Sequence, residues 1–447
     1  MALVATLQLL STSHAGRPPP GPPPNIAHTC APGSAEAKLP FCDTSLGFLA
    51  RTEDLVGRLN QSQQVSMFLS YPGTPYIREL NLKGWSLDHT CIHGLNKANG
   101  VTVFPHAIAQ GASWDTDLVH RVSNATAVEA RILSARGYEQ TKGGNAGEAL
   151  SCDGGPLANS AHDPRWGRIS ETYGECPSHI QVMGVTAMKG LQNPQPVPLG
   201  KPEDVFFATR QVTRHYIGYH GASPDIEGEK MPGGTGGFIA SNRSLGDSYF
   251  PTYGAFQRPS AGFADGIMCA MSLLNGVPSC GNRLLLTTML REQWQSDAII
   301  QSDCCDSVNT MIHEINPHSG KPVANTTEAL GLAVNEGLGV YFGYDVGGIH
   351  TSMDDLLGTD LYGNGERVTT ATLKAAAKRV LLSHMRLGFF DEHRQTSFPF
   401  SNASLDWALL DGGRVGAGGA ERQEGAEEPG GGSGEAGCGR WEASGGL

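Results

Sequence analysis

Ala298-Ile299-Ile300-Gln301-Ser302-Asp303 is a short run rich in apolar and β-branched residues that ends on a carboxylate. Such a run reads as a buried parallel strand of about five residues. In a (β/α)8 barrel the chemistry sits where strands end, at the C-terminal face. A carboxylate there has a fixed backbone beneath it and a position open to ligand. Asp303 is therefore the candidate nucleophile. Asp is also favoured as the N-cap of a following helix, and strand pattern alone does not separate the two uses.

Further candidate strands are Val205-Phe206-Phe207-Ala208, Gly266-Ile267-Met268-Cys269-Ala270 and Leu338-Gly339-Val340-Tyr341-Phe342. An earlier β-prone stretch, 97–105, carries Val101, Thr102, Val103 and Phe104 and stops at Pro105. Asp115 is placed to cap a helix with a broad apolar stripe (Leu118, Val119, Val122, Ala125, Val128, Ile132, Leu133), interrupted at its edge by Glu129 and ended by Gly137. Helical patterns near 176–191, 283–294, 326–336 and 370–387 fall between or after the strands. Near the start, Asp43 or Thr44 is expected to cap a helix carrying Leu49, Leu55, Val56 and Leu59, and a second short helix carries Val65, Phe68 and Leu69. Alternating strands and helices favour an α/β fold with parallel strands. No Gly-rich dinucleotide turn follows the first strand, so a (β/α)8 TIM-like barrel fits better than an open sheet.

The 447 residues suffice for a large core, and a net charge of −12 argues against a nucleic-acid partner and suits a neutral ligand such as sugar. No apolar stretch approaches the ~20 residues that span a bilayer. Residues 1–15 are mildly apolar and end in Ser13-His14-Ala15, the form of a signal-peptidase site. Sequons at Asn60, Asn124, Asn242, Asn325 and Asn402 agree with a secreted or extracellular protein, cell wall and vacuole included. Residues 16–38 form a Pro-rich linker, 39–391 the barrel-like domain, and 392–447 a linker and tail that from Gly412 onward is Gly-rich and too poor in large apolar residues to fold. None of the ten cysteines forms a paired C-x-x-C zinc pattern. Cys30–Cys42 and Cys269–Cys280 are close enough in sequence for local bridges.

The densest chemistry lies in Asp163-Pro164-Arg165-Trp166-Gly167-Arg168-Ile169-Ser170-Glu171-Thr172-Tyr173-Gly174-Glu175. An arginine fork grips vicinal hydroxyls or orients a carboxylate, and an indole stacks on a sugar face. The same residues can equally form an Arg–Glu network that holds the loop. This segment resembles the D-P-R-W-G-R-x-x-E-x-x-G motif of glycoside hydrolase family 3. Met268-Cys269 with Asn275 to Cys280, and Ser302-Asp303-Cys304 with Asp306-Ser307-Val308, resemble segments of that family's plant and fungal β-xylosidase branch. So do Leu39 to Cys42 followed by Asp54 to Leu59, and the ending Met385 to Asp391.

The resemblance implies a retaining exo-glycosidase that hydrolyses terminal β-linked sugars, most of all a β-xylosidase acting on xylan fragments. Asp303 would attack the anomeric carbon. Arg168 matches the family's sugar-binding arginine, and Arg214 and His215 stand where it has Lys-His. No metal or organic cofactor is implied, because the reaction needs two carboxyl groups and water. The partner is an oligosaccharide substrate, with neither nucleic acid nor membrane. In Trp85 to Gly94, strict spacing puts Thr90 at the family's acidic position, and Asp88 serves there only with a local shift. Met271 replaces a tyrosine, Arg214 replaces Lys, and Cys305 is an extra cysteine. The family's acid/base Glu lies in a second domain that has no counterpart before the Gly-rich tail. The alternative is a non-catalytic or truncated β-sugar-binding barrel. Another branch uses a His/Asp pair on a loop that His220 and Asp225 echo out of register.

Overall fold

A computed structural model describes residues 29–67, 76–85, 90–96, 101–135, 148–164, 166–197, 204–219, 239–259, 263–303, 307–308, 311–312, 314, 320–341, 368–391 and 399–400. Its centre is a sheet of five parallel strands: β1 (Ser151–Cys152), β2 (Arg210–Tyr216), β3 (Gly266–Cys269), β4 (Ile299–Ser302) and β5 (Leu338–Val340). Their spatial order equals their chain order. Gly266 faces Ile299 and Cys269 faces Ser302 across the β3–β4 ladder. Parallel neighbours need a crossover, and helices supply it. Pro177–Gln192 lies between β1 and β2, Phe250–Gln257 between β2 and β3, Leu284–Gln293 between β3 and β4, and Thr326–Asn335 between β4 and β5.

The N-terminal side adds α1 (Phe48–Arg58), α2 (Gln61–Ser66), α3 (Ala107–Ala112) and α4 (Thr116–Ala135). Pro177–Gln192 is α5, Phe250–Gln257 α6, Thr326–Asn335 α7, and the closing helix Thr370–Arg386 is α8. Asn60 caps α2 in a capping box with Gln63, and the Asp115 carboxylate accepts from Leu118 N, as its position before α4 suggested. Helix α1 begins at Phe48 with Gly47 before it, not at Asp43 or Thr44. Asp43 instead accepts from the backbone and hydroxyl of Ser45, closing a turn.

Two expected strands are corrected. Val101 to Pro105 is not in a ladder, and Thr102 N donates to both oxygens of Glu129 at 3.1 Å. The acidic break in the α4 stripe is thus a built-in partner for that segment. Val205–Phe206 pairs antiparallel with Gln195–Pro196, outside the main sheet. The main-sheet strand comes just after it, in Arg210-Gln211-Val212-Thr213-Arg214-His215-Tyr216, all of it buried.

One apolar core surrounds the helices beside the sheet, with Tyr216, Tyr253, Phe256 and Trp294 at its centre. A second joins the N-terminal segment to α8 through Phe41, Phe48, Leu55, Leu381 and Phe390. Across it Arg51 meets both oxygens of Asp391 at 3.0 Å, with both side chains buried. Arg131 of α4 donates to the carbonyls of Ala208, Phe207 and Leu387. Cys30 is fully buried and bridged to Cys42, so residues 29–38 pack on the domain. The Cys269–Cys280 bridge forms as well.

A third bridge, Cys91–Cys152, closes 61 residues and pins the 90–96 loop to β1. Entropy of a loop that long makes the bridge worth about 4 kcal/mol. A Cys91→Ala/Cys152→Ala variant is expected to lose most of that in denaturant unfolding. A loss below about 1 kcal/mol would mean that the unfolded chain gains little from release. Beside the bridge, Gly154 lies so close to Thr90 that a Cβ there would sit 2.4 Å from its side chain.

Candidate active site

The strand ends at one edge of the sheet carry a connected polar cluster. Asp303 directly follows β4 and is 6% exposed. Its Oδ2 lies 3.4 Å from Nε2 of His215, on β2. The same imidazole nitrogen is 3.0 Å from Nη1 of Arg168. Arg168 forms a two-pronged pair with Glu171, 2.7 Å at each prong, and Arg214 reaches Glu171 Oε2 at 3.1 Å. Arg168, Arg214, His215 and Asp303 are therefore brought together from three segments far apart in sequence. Asp88 lies outside the described residues, as do Arg165, His220 and Asp225.

Local structure explains the placement. Residues 169–171 form one tight 3-10 turn, so Arg168 and Glu171 fall within reach of each other. Helix α3 backs the segment that follows. A Cβ on Gly111 would lie 2.1 Å from the carbonyl oxygen of Tyr173, so only glycine allows this approach. A cavity of about 20 Å³, lined in part by Gln110, Leu157 and Tyr173, lies behind Glu171. It has room for about one water.

Hydrogen-bond chemistry fixes the tautomer of His215. Guanidinium nitrogens only donate, so Nε2 accepts from Arg168 and the ring proton is on Nδ1. That proton faces Asn159 Oδ1 at 3.3 Å, and Asn159 also brackets the His215 backbone, accepting from its N–H and donating to its carbonyl. Tyr253 donates to that carbonyl too. Burial, then the charges of Arg168 and Arg214, push the imidazole well below the ordinary histidine range, so it is neutral. His215 Nε2, its lone pair engaged by Arg168, and Asp303 Oδ2 therefore stand side by side at 3.4 Å. The ring of Tyr219 walls the site, 4.8 Å from the imidazole and 5.7 Å from the Arg168 guanidinium carbon.

Burial pulls the Glu171 carboxyl upward, but its hydrogen bonds from Arg168 and the charges of Arg214 and Arg168 outweigh this and hold it below the ordinary range. Arg168 stays charged for the matching reason: burial opposes its charge, and Glu171, then Asp303, restore it.

Two neutral buried histidines make stability pH-dependent. His384 is held down to about 3 by burial and then, against its bond to the Val380 carbonyl, by the charge of Arg210. A depressed histidine contributes stability above its unfolded value near 6.5 and loses it as pH falls, because the unfolded chain then takes up protons the folded chain refuses. His215 and His384 together should cost roughly 3 kcal/mol between pH 6.5 and 5. Glu171, also depressed, holds its contribution down to about pH 4 and leaves that window untouched. Equilibrium unfolding at the two pH values checks this: about half the loss would mean that one ring takes up its proton in the fold, and a flat response that both do.

The sequence pointed to Arg168, Glu171, Arg214, His215 and Asp303 and missed Asn159, Tyr219 and Tyr253. Asn159 follows a Gly-Gly-Pro-Leu-Ala stretch that reads only as loop.

Among known proteins, residues 85–382 match the family model for the glycosyl hydrolase family 3 N terminal domain. A probable exo-1,4-beta-xylosidase of Aspergillus terreus is 28% identical over 371 residues, covering 79% of this chain and 43% of the relative. Beta-D-xylosidase 3 of Arabidopsis thaliana is 28% identical over 367 residues, covering 79% and 42%. The chain thus spans less than half the length of these curated relatives. Among solved structures, a family 3 exo-beta-xylosidase bound to a xylobiose aziridine probe matches with a TM-score of 0.65 at 20% identity, over 86% of this chain and 45% of that one. A beta-glucosidase from Erythrobacter marinus matches with a TM-score of 0.62 at 21% identity, over 84% and 49%. With a family model matched over two thirds of its length, the chain belongs to glycosyl hydrolase family 3.

Proposed function

We propose that this chain carries the nucleophile of a retaining exo-β-glycosidase whose substrate is a terminal β-linked xylose on xylan fragments. One observation carries the reading: Asp303 stands at the C-terminal end of β4, 3.4 Å from a neutral His215 that Arg168 holds in place. In this reading Asp303 attacks the anomeric carbon and forms a glycosyl ester, which water then hydrolyses. A second carboxyl about 5 Å away donates the proton to the leaving oxygen and later takes one from the water. Glu171 is unsuited to that task, because two guanidiniums keep it ionised. In this reading Arg168 and Arg214 supply donors to sugar hydroxyls and His215 lines the same subsite with its Nε2 engaged by Arg168, while Asn159 and Glu171 hold those groups still.

Two related proposals accompany this one. Five parallel strands in chain order, with helices between them, support a (β/α)8-like barrel. Three disulfides among the described residues support folding in an oxidising, secretory compartment. Xylose is favoured over glucose by the names of the sequence relatives.

The test is intact mass after incubation with a 2-fluoro-β-xyloside carrying an activated leaving group. Such a reagent needs no acid to depart. One fluoroxylosyl unit on the peptide containing Asp303 is the expected result. A folded chain left unlabelled by both the fluoroxyloside and the fluoroglucoside would favour a binding-only barrel.

A further inference from the structure

Beneath the site lies a second buried polar cluster that the reaction does not use. Arg210 opens β2, Asp153 follows β1, and Gln301 is on β4, two residues before Asp303. All three are buried, with Arg210 and Gln301 wholly so. Arg210 Nη2 meets Asp153 Oδ1 at 2.5 Å and donates to Gln301 Oε1 at 2.9 Å, and Gln301 Nε2 donates to Asp153 Oδ2 at 3.1 Å. The triangle is closed. Ser151 joins it, donating to Asp153 and accepting from Arg210 Nη2 at 3.1 Å.

Two features say that this cluster is not there for stability. A buried ion pair often does no better than apolar side chains of equal volume, because desolvation offsets the Coulomb gain. This one is also poorly satisfied: Arg210 makes its bonds through one nitrogen, and Nε and Nη1 are buried with no partner among the described residues. Its placement, however, is specific. β2 and β4 are not neighbours, since β3 lies between them. Through the ladders alone, the strand bearing His215 and the strand bearing Asp303 are related only by way of β3. The triangle joins them directly, side chain to side chain. Alternate residues on a strand share a face, so Gln301 lies on the Asp303 side of β4.

We propose that Gln301, Arg210 and Asp153 are positioning residues that set the separation of Asp303 from His215. The kinetic arm of the test rests on the glycosidase reading, and the structural arm does not. Gln301→Leu removes the carboxamide and leaves the Arg210–Asp153 pair. A second variant, Asp153→Leu/Arg210→Met/Gln301→Leu, removes the whole cluster without stranding a charge and serves if the first fails to fold.

The triple variant, which strands no charge, is expected to keep a near-native melting temperature, and Gln301→Leu, which takes the Gln301 donor from Asp153 Oδ2, to lose a few degrees. The limiting rate of labelling by the activated 2-fluoro-β-xyloside should fall roughly 10- to 100-fold, the scale of a misplacement near 1 Å. The half-saturating concentration should change by less than about threefold. A merely structural role would move stability and leave this split between rate and binding unmoved. In a crystal structure of either variant, the 3.4 Å between Asp303 and His215 should widen. An unchanged limiting rate with an unchanged separation overturns the inference. If wild-type chain is not labelled at all, the glycosidase reading fails, and the crystallographic separation alone decides this one.

Discussion

Asp303→Asn is expected to abolish covalent labelling and to lower any turnover at least about 10³-fold. The substitution keeps the shape of the side chain at the end of β4, so packing against Ser302 and His215 is preserved. It removes the one property the proposed reaction needs. A carboxamide oxygen is a feeble nucleophile toward an anomeric carbon and yields no stable ester. His215 stays neutral, because burial and the two arginines set its protonation. Sugar affinity should therefore survive within a few-fold, measured by calorimetry with xylose or xylobiose. Undiminished labelling of Asp303→Asn at another carboxylate would remove Asp303 from the mechanism. Loss of binding together with labelling would point to a collapsed site and would call for Asp303→Glu, which keeps the charge but moves it by one methylene.

Asp391→Ala should destabilise the domain by about 3–5 kcal/mol, the range for breaking a buried ion pair from one side. Arg51 meets Asp391 with relative exposures of 1% and 0%, and its Nε is already committed to the Phe41 carbonyl at 2.9 Å. Without Asp391 the guanidinium remains buried among Phe41, Phe48 and Phe390 with its charge uncompensated. Arg51→Met/Asp391→Leu takes out both charges and should recover most of the loss, because the apolar replacement costs no desolvation. Denaturant midpoints at equal slope give the comparison. Equal damage from the single and double variants would show that shape, rather than charge, matters at that place.

Residues with strong periodicity were legible from the chain. The Ile299–Ser302 strand and helices α5, α7 and α8 fall within a residue or two of their expected bounds. Their signal is apolar spacing, which burial directly demands. β2 was opaque because Arg210, Gln211, Thr213, Arg214 and His215 make it look like a surface segment, although all are buried. Their partners, Asp153, Gly155, Glu171 and Asn159, are 43 to 57 residues away, and no local pattern reports such pairings. Val205 to Ala208 had the opposite fault: an apolar run served a minor hairpin-like pair. The Cys91–Cys152 bridge was hidden by its span, whereas the bridges spanning 12 and 11 residues were suggested by proximity. At the site, Arg168 and Glu171 were visible because both lie in one short segment. Asn159 was not, since its work is to grip a backbone it meets only in the folded chain.

The packing of α1 against α8 has a consequence for synthesis on the ribosome. Arg51 and Asp391 are 340 residues apart. At about 5–20 residues per second, the N-terminal helix waits roughly 20–70 s for its partner to be made. During that interval Phe48, Leu55 and Val56 lack the α8 surface that later covers them. Nascent chains stalled before residue 370 should therefore hold on to chaperones, and release should follow the emergence of α8 rather than that of the residues around Asp303.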